Sequence, residues 1–434
     1  MPLSLPSWAS LLSAHAPEGE TYLLRRRRSR AIDASYGDRR LAEIRAAATA
    51  ASGAAGAADG VGAGAWPGIR AVLAAAEDDE DLAFLVRGLQ SVPDVERWIG
   101  DAVAADPDDP LPLLVSGARL LARSGYAGVR RPPQVTGQQA EIARVRLENA
   151  EEQLFEVAER EPDWAAPWYF LMASAGAGTR SGAAAGARET AARRFAAVVR
   201  RVPGHAAAHR LRLAQLSPAW PGAGAVASTD ASADTWAGAT ATEPEQAPDA
   251  PVDVSTDMSA ADAAGATEPE QAPDAPADVS TDMSAADAAG TSGTADRTHA
   301  GDPYRTMHAF ARRAMLDAPE GSRLGELVAL AHLEQWRDLG ADPDSPYLTG
   351  EAVVAALREA AVRSVLHPTF ERRADWALAA NAFAMAFALA GDHVPARTLF
   401  TLLGPHRATE SPWHLLDERS PLVAFRAWRA RVGA

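Results

Sequence analysis

Apolar side chains along much of the chain recur every three or four residues, the spacing that places them on one face of an α-helix. The pattern is clear over Leu147–Val157 and again over Ala192–Val202. Pro162 and Pro203 follow these stretches, and proline ends a helix because it cannot donate the next backbone hydrogen bond. No stretch alternates apolar and polar residues over the length of a strand. The sequence therefore predicts an all-α protein with about a dozen helices and no sheet.

Four helix-ending prolines share a pattern of residues on their N-terminal side. Counting back twelve, eight and five residues from Pro107, Pro162, Pro203 and Pro319 gives apolar residues at every position, and alanine occupies half of the first and third positions. The twelve residues are Val95, Ile99, Ala102, Ala150, Leu154, Val157, Ala191, Phe195, Val198, Met307, Ala311 and Ala314. This pattern resembles the second helix of a tetratricopeptide repeat, which a proline closes.

The position six residues after each proline bears on the same resemblance. Tetratricopeptide repeats favour a large side chain there, and the chain has Leu113, Trp168 and His209, whereas Gly325 departs. The four prolines are 55, 41 and 116 residues apart, and the last interval becomes 34 once residues 221–302 are left out. Thirty-four residues is the length of one standard repeat. We therefore predict an irregular tetratricopeptide-like helical repeat of antiparallel helix pairs, interrupted by a long insertion.

The predicted insertion, residues 221–302, differs in composition from the rest of the chain. It contains sixteen acidic residues and one arginine, and residues 241–265 recur as 266–290 with one change, Val252 to Ala277. A segment with so few large apolar side chains cannot offset the entropy of ordering. We predict a disordered acidic linker between two parts of a helical-repeat domain, residues 65–220 and 303–434. Residues 1–64 are predicted to be a loosely ordered extension with one short helix near Asp38–Ala50.

The residue types that the chain lacks exclude several kinds of chemistry. There is no Cys and no Lys, which excludes disulfides, thiolate nucleophiles, thiolate zinc sites, Schiff-base lysines and the lysine of a phosphate-binding loop. The net charge of −15 belongs to the insertion, because the rest of the chain holds 41 acidic and 41 basic residues. We therefore expect no nucleic-acid partner and no cofactor. The Arg25–Arg30 run is expected to be a solvated tail, and contact with nucleic acid or acidic lipid is the alternative.

No apolar run in the sequence is long enough to span a membrane. The nearest, Trp376–Ala390, has 15 residues and contains Asn381, so it predicts a buried core helix. The N-terminus lacks the basic start and the unbroken apolar stretch of a signal peptide. We therefore expect a cytoplasmic protein without a membrane partner.

Five segments carry a further resemblance. They are PDWAAPW (162–168), RRFAAVVRRVPGHAAAH (193–209), MHAFAR (307–312), APEGSRLGELVALAHLEQW (318–336) and NAFAMAFALAG (381–391). Together they resemble a bacterial domain-of-unknown-function family of tetratricopeptide-like helical-repeat proteins, over roughly residues 65–430. The resemblance implies a helical fold without an established activity, so no catalytic residues follow from it. The chain departs from the family at Ala219–Gly222, where the acidic insertion follows instead of a Lys-Trp-Gly-Gly-Ser-like turn joined to the helix near Tyr304.

Five polar residues are the candidates for a binding site. His205 and His209 are four residues apart, so a helix places both on one face, as a metal site requires. No third ligand is evident, however, and His209 occupies a packing position of the repeat, so structural packing is the favoured interpretation. His332 and Glu334 are two residues apart and point in different directions on a helix. Asn381 is polar in an otherwise apolar helix, and its buried amide must find hydrogen-bond partners.

No catalytic motif is evident, and three functional hypotheses remain. Acidic pairs such as Asp78–Asp79 suit helix starts, where carboxylates interact favourably with the helix dipole. The first hypothesis is a non-catalytic scaffold or adaptor that holds a protein partner in a groove between stacked helices. The second is an enzyme, or a small-molecule or metal-binding protein, with a pocket between helices built from the histidines and Glu334. The third is a regulatory or nucleic-acid role for Arg25–Arg30. We expect the first.

Overall fold

Helices provide all the regular structure in the part of the chain that the computed structural model describes. That part comprises residues 32–33, 35–54, 63–124, 137–176, 184–220, 302–370, 372–373 and 375–434. Within it, 3₁₀ turns lie at Ala63–Ala65 and Arg323–Gly325. The α-helices are α1 (Arg39–Ala54), α2 (Trp66–Ala74), α3 (Asp79–Gln90), α4 (Glu96–Ala105), α5 (Pro110–Arg123), α6 (Gly137–Arg160), α7 (Ala166–Ser174), α8 (Ala184–Arg201), α9 (Ala206–Leu216), α10 (Arg305–Asp317), α11 (Glu326–Asp338), α12 (Pro346–Thr349), α13 (Glu351–Arg363), α14 (Trp376–Leu389), α15 (His393–Leu403), α16 (Glu410–Trp413) and α17 (Pro421–Arg431). No strand occurs among these residues, and the all-α prediction is confirmed.

The described residues contain seventeen α-helices rather than about a dozen, and two of the additional helices are too short to show a full period of apolar residues. Both α12 and α16 have four residues, too few for the three-to-four spacing to appear in the sequence. The short helix predicted near Asp38–Ala50 is α1, which packs into the core through Leu41 and Ile44. The Arg25–Arg30 run and the predicted acidic linker, apart from Asp302, lie outside the described residues.

The four helix-ending prolines stop their helices in the same way. The helices α4, α6, α8 and α10 each end two residues before the proline that follows. The residue before a proline is driven out of the α conformation, so the last helical residue precedes it. Of the twelve residues in the predicted repeat pattern, only Phe195 and Ala314 are more than marginally exposed.

Helices that are close in sequence pack as pairs, and the first members of successive pairs form a row. Contacts join α5 to α6, α7 to α8, α9 to α10, α11 to α13, and α14 to α15. Further contacts run from α5 to α7, then to α9, α11 and α14. Residues on both sides of the insertion thus belong to one stack of helices. That this stack is a tetratricopeptide-like repeat stays a prediction.

The helix α14 is the most buried element of this row. All its residues except Leu378 are buried, because small alanines alternate with Phe383, Met385 and Phe387 around the whole circumference. A helix that is apolar on every side must be enclosed by others. The predicted core helix Trp376–Ala390 is therefore confirmed. None of the described helices is both long and apolar enough to cross a membrane.

A run of acidic residues, Glu77–Asp81, begins α3 and holds other helices against it. Asp78 caps α3 by accepting a hydrogen bond from the backbone N–H of Asp81 at 2.9 Å. Asp79 accepts one at 2.6 Å from the N–H of Ala165, at the start of α7. The first N–H groups of a helix have no partner within it, so these carboxylates satisfy donors that would otherwise be unpaired.

Glu80, in the same run, is buried and joins residues on both sides of the insertion. Its Oε1 accepts a hydrogen bond at 2.8 Å from the N–H of Ala206, at the start of α9. Its Oε2 accepts one at 2.6 Å from Nη2 of Arg323, in the second 3₁₀ turn. The other Nη of Arg323 pairs with Asp375. One carboxylate therefore fixes α3, α9 and the start of α11 relative to one another.

Arg210 extends this network of buried charges. Its Nη1 donates to Oε1 of Glu326 at 2.6 Å, and its Nη2 binds Asp375. Glu326 and Asp375 are 0% and 3% exposed. Ionised carboxylates at that depth are tolerated only when they are paired and hydrogen-bonded. The stack therefore depends on Arg210, from before the insertion, to neutralise two acids that follow it.

Candidate functional site

His205, the first predicted candidate, is the cap of α9. Its Nδ1 accepts a hydrogen bond from the N–H of Ala208 at 3.4 Å, and its ring stacks on Tyr169 with centroids 5.2 Å apart. Burial, followed by the charges of Arg210 and Arg323, lowers the pKa of His205 to about 3. The imidazole is therefore neutral at physiological pH and caps the N-terminus of α9.

His209 lies one turn later and packs among aromatic rings. Phe195 contacts it edge to face at 5.0 Å and Phe310 stacks on it at 5.9 Å, between ring centroids. Its Nδ1 is 3.0 Å from the carbonyl oxygen of His205. The two histidines share a helix, but aromatic side chains rather than further ligands surround His209.

His332 lies in a separate polar cluster between α10, α11 and α12. Its Nδ1 is 2.8 Å from Oη of Tyr347, and its ring centroid is 4.6 Å from that of His308. Oε1 of Gln335 lies 2.6 Å from Oη of Tyr347 and 2.7 Å from Nε2 of His308. Burial lowers the pKa of His332 to about 3, with a smaller contribution from His308.

Glu334 and Asn381 bond elsewhere, so the five candidates do not form one site. Glu334 accepts a hydrogen bond from Arg337 at 3.2 Å. Nδ2 of Asn381 donates to the carbonyl of Arg407 at 2.8 Å, and its Oδ1 accepts from Nε1 of Trp413 at 2.7 Å. Among the described residues, no three His, Asp or Glu side chains are arranged to hold a metal ion.

The buried histidines predict a loss of stability in acid. In the unfolded chain His332 takes up a proton near pH 6.5, whereas the folded ring stays neutral down to about pH 3. Between these values unfolding binds protons, so stability falls as the pH falls. We expect His332→Gln to reduce proton uptake on unfolding by about one near pH 5. Urea unfolding of both proteins between pH 4.5 and pH 8 measures this uptake as the slope of the free energy of unfolding against pH. Above about pH 7.5 the slopes of the unmodified protein and of the variant should agree. Parallel stability curves over the whole range would contradict the assignment.

A groove that no candidate residue predicts lies on the outer side of the stack, between α6, α7 and α8. We call it the arginine groove; its lining consists of Phe155, Trp168, Thr190, Arg193, Arg194, Ala197, Arg200 and Arg201, around a volume of about 410 Å³. Phe155 and Trp168 meet edge to face with centroids 6.0 Å apart. Phe155 is 38% exposed, so an aromatic surface stays accessible beside four guanidinium groups.

Two of the four arginines are built into the fold. The guanidinium of Arg194 lies over Phe155, and its Nη2 is 2.9 Å from Oε1 of Glu151. The guanidinium of Arg201 lies over Trp168, and its Nε donates to the carbonyl of Pro162 at 2.7 Å. These contacts fix both cations against the aromatic rings.

The other two arginines are exposed and have no carboxylate partner among the described residues. Arg193 donates one long hydrogen bond, 3.4 Å, to the hydroxyl of Thr190. Arg200 lies seven residues, or two helical turns, further along the same face of α8. Both guanidinium groups therefore retain donors for a bound acid.

The opposite rim of the arginine groove is acidic. Glu152 and Glu159 are exposed and lie three and four residues from Phe155, on the same side of α6. A polyanion that covered the whole groove would meet these carboxylates. The groove thus favours a ligand whose negative charge faces α8 and whose apolar part faces the aromatic rings.

The sequence did contain a signal for this groove. Two arginine pairs, at 193–194 and 200–201, are seven residues apart on a predicted helix, and that spacing puts them on one face. What the sequence does not show is that Phe155 and Trp168 come from two other helices to complete it. No protein-family model, curated protein or solved structure matches the chain, and its resemblance to a helical-repeat family stays a prediction.

Proposed function

We propose that this protein is a non-catalytic interaction scaffold that binds an acidic segment of a partner protein in the arginine groove. The observation that carries the proposal is the pairing of exposed Phe155 with two exposed arginines, Arg193 and Arg200, that have no carboxylate partner in the described part of the chain. Aromatic and arginine side chains dominate the binding energy of protein interfaces because they combine large contact area with directional donors. Guanidinium groups also match carboxylates geometrically.

The charge distribution supports a peptide over a nucleic acid. Arg193 and Arg200 lie on one rim, while Glu152 and Glu159 repel a continuous phosphate backbone from the other. An extended peptide with glutamates beside an apolar residue is compatible with the charges of both rims. Its acids bind α8, its apolar side chain contacts Phe155, and its neutral backbone passes the carboxylates.

Charge reversal in the full-length protein tests the proposal. The probe is a fluorescein-labelled peptide in which glutamates flank a phenylalanine, with a glutamine-substituted peptide as its control. We expect R193E/R200E to weaken probe binding at least about tenfold, because like charges would face one another, and Phe155→Ala to weaken it about tenfold through lost aromatic contact. Fluorescence anisotropy measures both effects.

A matched variant controls for net charge. Arg305 and Arg426 are exposed and have no carboxylate partner in the described structure, so R305E/R426E changes the total charge equally at other places. It should bind like the unmodified protein. Equal losses in both double variants, or equal binding of the glutamine peptide, would contradict the proposal. Tighter binding of a peptide of residues 241–265 than of the probe would assign the groove to the chain's own acidic segment instead.

A further inference from the structure

A second cavity lies where five separate segments of the chain meet, one of them at the start of α14. It has a volume of about 480 Å³, and Tyr36, Phe84 and Trp376 are the aromatic residues of its lining. Trp376 is 8% exposed. This volume falls in the range of small-molecule sites, and the lining is mostly charged, with three aromatic residues.

Most of the charges around this cavity neutralise one another. Arg323 pairs with Glu80 and Asp375, as described above, and Arg373 pairs with Asp78. These ion pairs form one wall of the cavity.

Arg40 neutralises two further carboxylates. Its Nη1 and Nη2 contact Asp81 at 2.6 and 2.8 Å, and its Nη2 also contacts Asp38 at 3.0 Å. Three of the five arginines in the lining are therefore occupied by five of its six carboxylates. Only Glu77 remains on the acidic side, so the lining has no strong excess of either charge.

The two remaining arginines, Arg372 and Arg407, both lie over the indole of Trp376. Their guanidinium carbons are 5.3 and 5.8 Å from the ring centroid. Both side chains are exposed, and neither has a carboxylate partner among the described residues. Both guanidinium groups therefore keep hydrogen-bond donors that a bound anion could use in charge-assisted hydrogen bonds.

We propose that this cavity is a binding site for a small aromatic monoanion, with its carboxylate group held by Arg372 and Arg407 and its ring against the aromatic side chains of the lining. A guanidinium group donates parallel hydrogen bonds to the two oxygens of a carboxylate. A single charge suits the site because Glu77 and the paired acids border it. The proposal is independent of the arginine groove, which lies on other helices.

Ligand-observed NMR titrations of the full-length protein test this site. The probe is benzoate, a monoanion, and benzamide is the neutral control. We expect saturable binding of benzoate, weakened at least about tenfold in R372Q/R407Q because each lost charge-assisted bond costs about that factor or more. Both arginines are exposed, so the fold should survive, and circular dichroism checks this.

Two variants make the result specific. Arg431 lies over Trp428 at 4.6 Å without belonging to this cavity, so R431Q removes the same kind of contact elsewhere and should bind like the unmodified protein. R193E/R200E should also leave the anion affinity unchanged. Binding of benzamide as tight as that of benzoate, equal benzoate affinity in R372Q/R407Q, or no saturable binding of benzoate would overturn the proposal. A loss confined to R193E/R200E would overturn it too, by moving the anion to the arginine groove.

Discussion

Replacement of Arg210 by methionine should lower the free energy of unfolding by about 3–5 kcal/mol. Methionine preserves most of the apolar volume but leaves Glu326, which is 0% exposed, without its hydrogen bond from Nη1 at 2.6 Å. Asp375 loses one of its two arginines and keeps Arg323. An ionised carboxylate without a partner in the interior is among the costliest defects that one substitution can create. Urea unfolding at neutral pH measures the loss.

A second substitution distinguishes the unpaired charge from lost packing. In R210M/E326L the buried acid is absent as well, so at least about 2 kcal/mol of the loss should return. The control is Arg313→Met. Arg313 pairs with Asp317 at the surface, where its side chain is 83% exposed, and its replacement should cost less than about 0.5 kcal/mol. If the double variant were as unstable as R210M, the network of buried charges would not be the cause.

Replacement of Gly325 by alanine should lower the free energy of unfolding by about 1–3 kcal/mol. An added Cβ would lie 2.8 Å from the carbonyl oxygen of Ala360 and 2.6 Å from Cβ of Ser364. The first of these atoms belongs to the backbone of α13, so a rotamer change cannot relieve the clash. The 3₁₀ turn and α13 must separate, which also displaces Arg323 from its acids.

Gly100→Ala supplies the matched control, with the opposite expected sign. Gly100 lies within α4, and an added Cβ there would meet nothing within 4 Å. Alanine in an exposed helical position should raise stability by about 0.5–1 kcal/mol, because glycine loses more backbone entropy on folding. If both substitutions were equally destabilising, the close approach of α13 to Gly325 would not be the reason for glycine at this position.

The features that could be predicted from the sequence are those that depend on nearby residues. Periodicity and proline stops gave the helical class and the ends of helices such as α6 and α8, because both act within a few turns. The apolar run Trp376–Ala390 gave the core helix. The sequence shows that Gly325 stands where the repeat pattern expects a large side chain. The reason is the close approach of α13, which no local pattern indicates.

The features that could not be predicted depend on distant pairs. Glu80 bonds the N–H of Ala206, 126 residues later, and Arg323, 243 residues later. The sequence shows an acidic run at the start of a helix, and the helix dipole accounts for Asp78. No local pattern indicates, however, that Asp79 and Glu80 cap other helices. Likewise, the i, i+4 spacing predicts that His205 and His209 lie on one helix face, but it does not indicate that aromatic rings surround His209.

The most direct test of the proposed function is an exchange of charge across the arginine groove. Unmodified protein and R193E/R200E are each titrated with the glutamate probe and with a peptide in which arginines replace the glutamates. If the acids of the probe contact α8, the arginine peptide should bind R193E/R200E better than the unmodified protein, with a coupling energy of at least about 1.5 kcal/mol. Additive effects, with a coupling below about 0.5 kcal/mol, would contradict binding of an acidic partner in this groove.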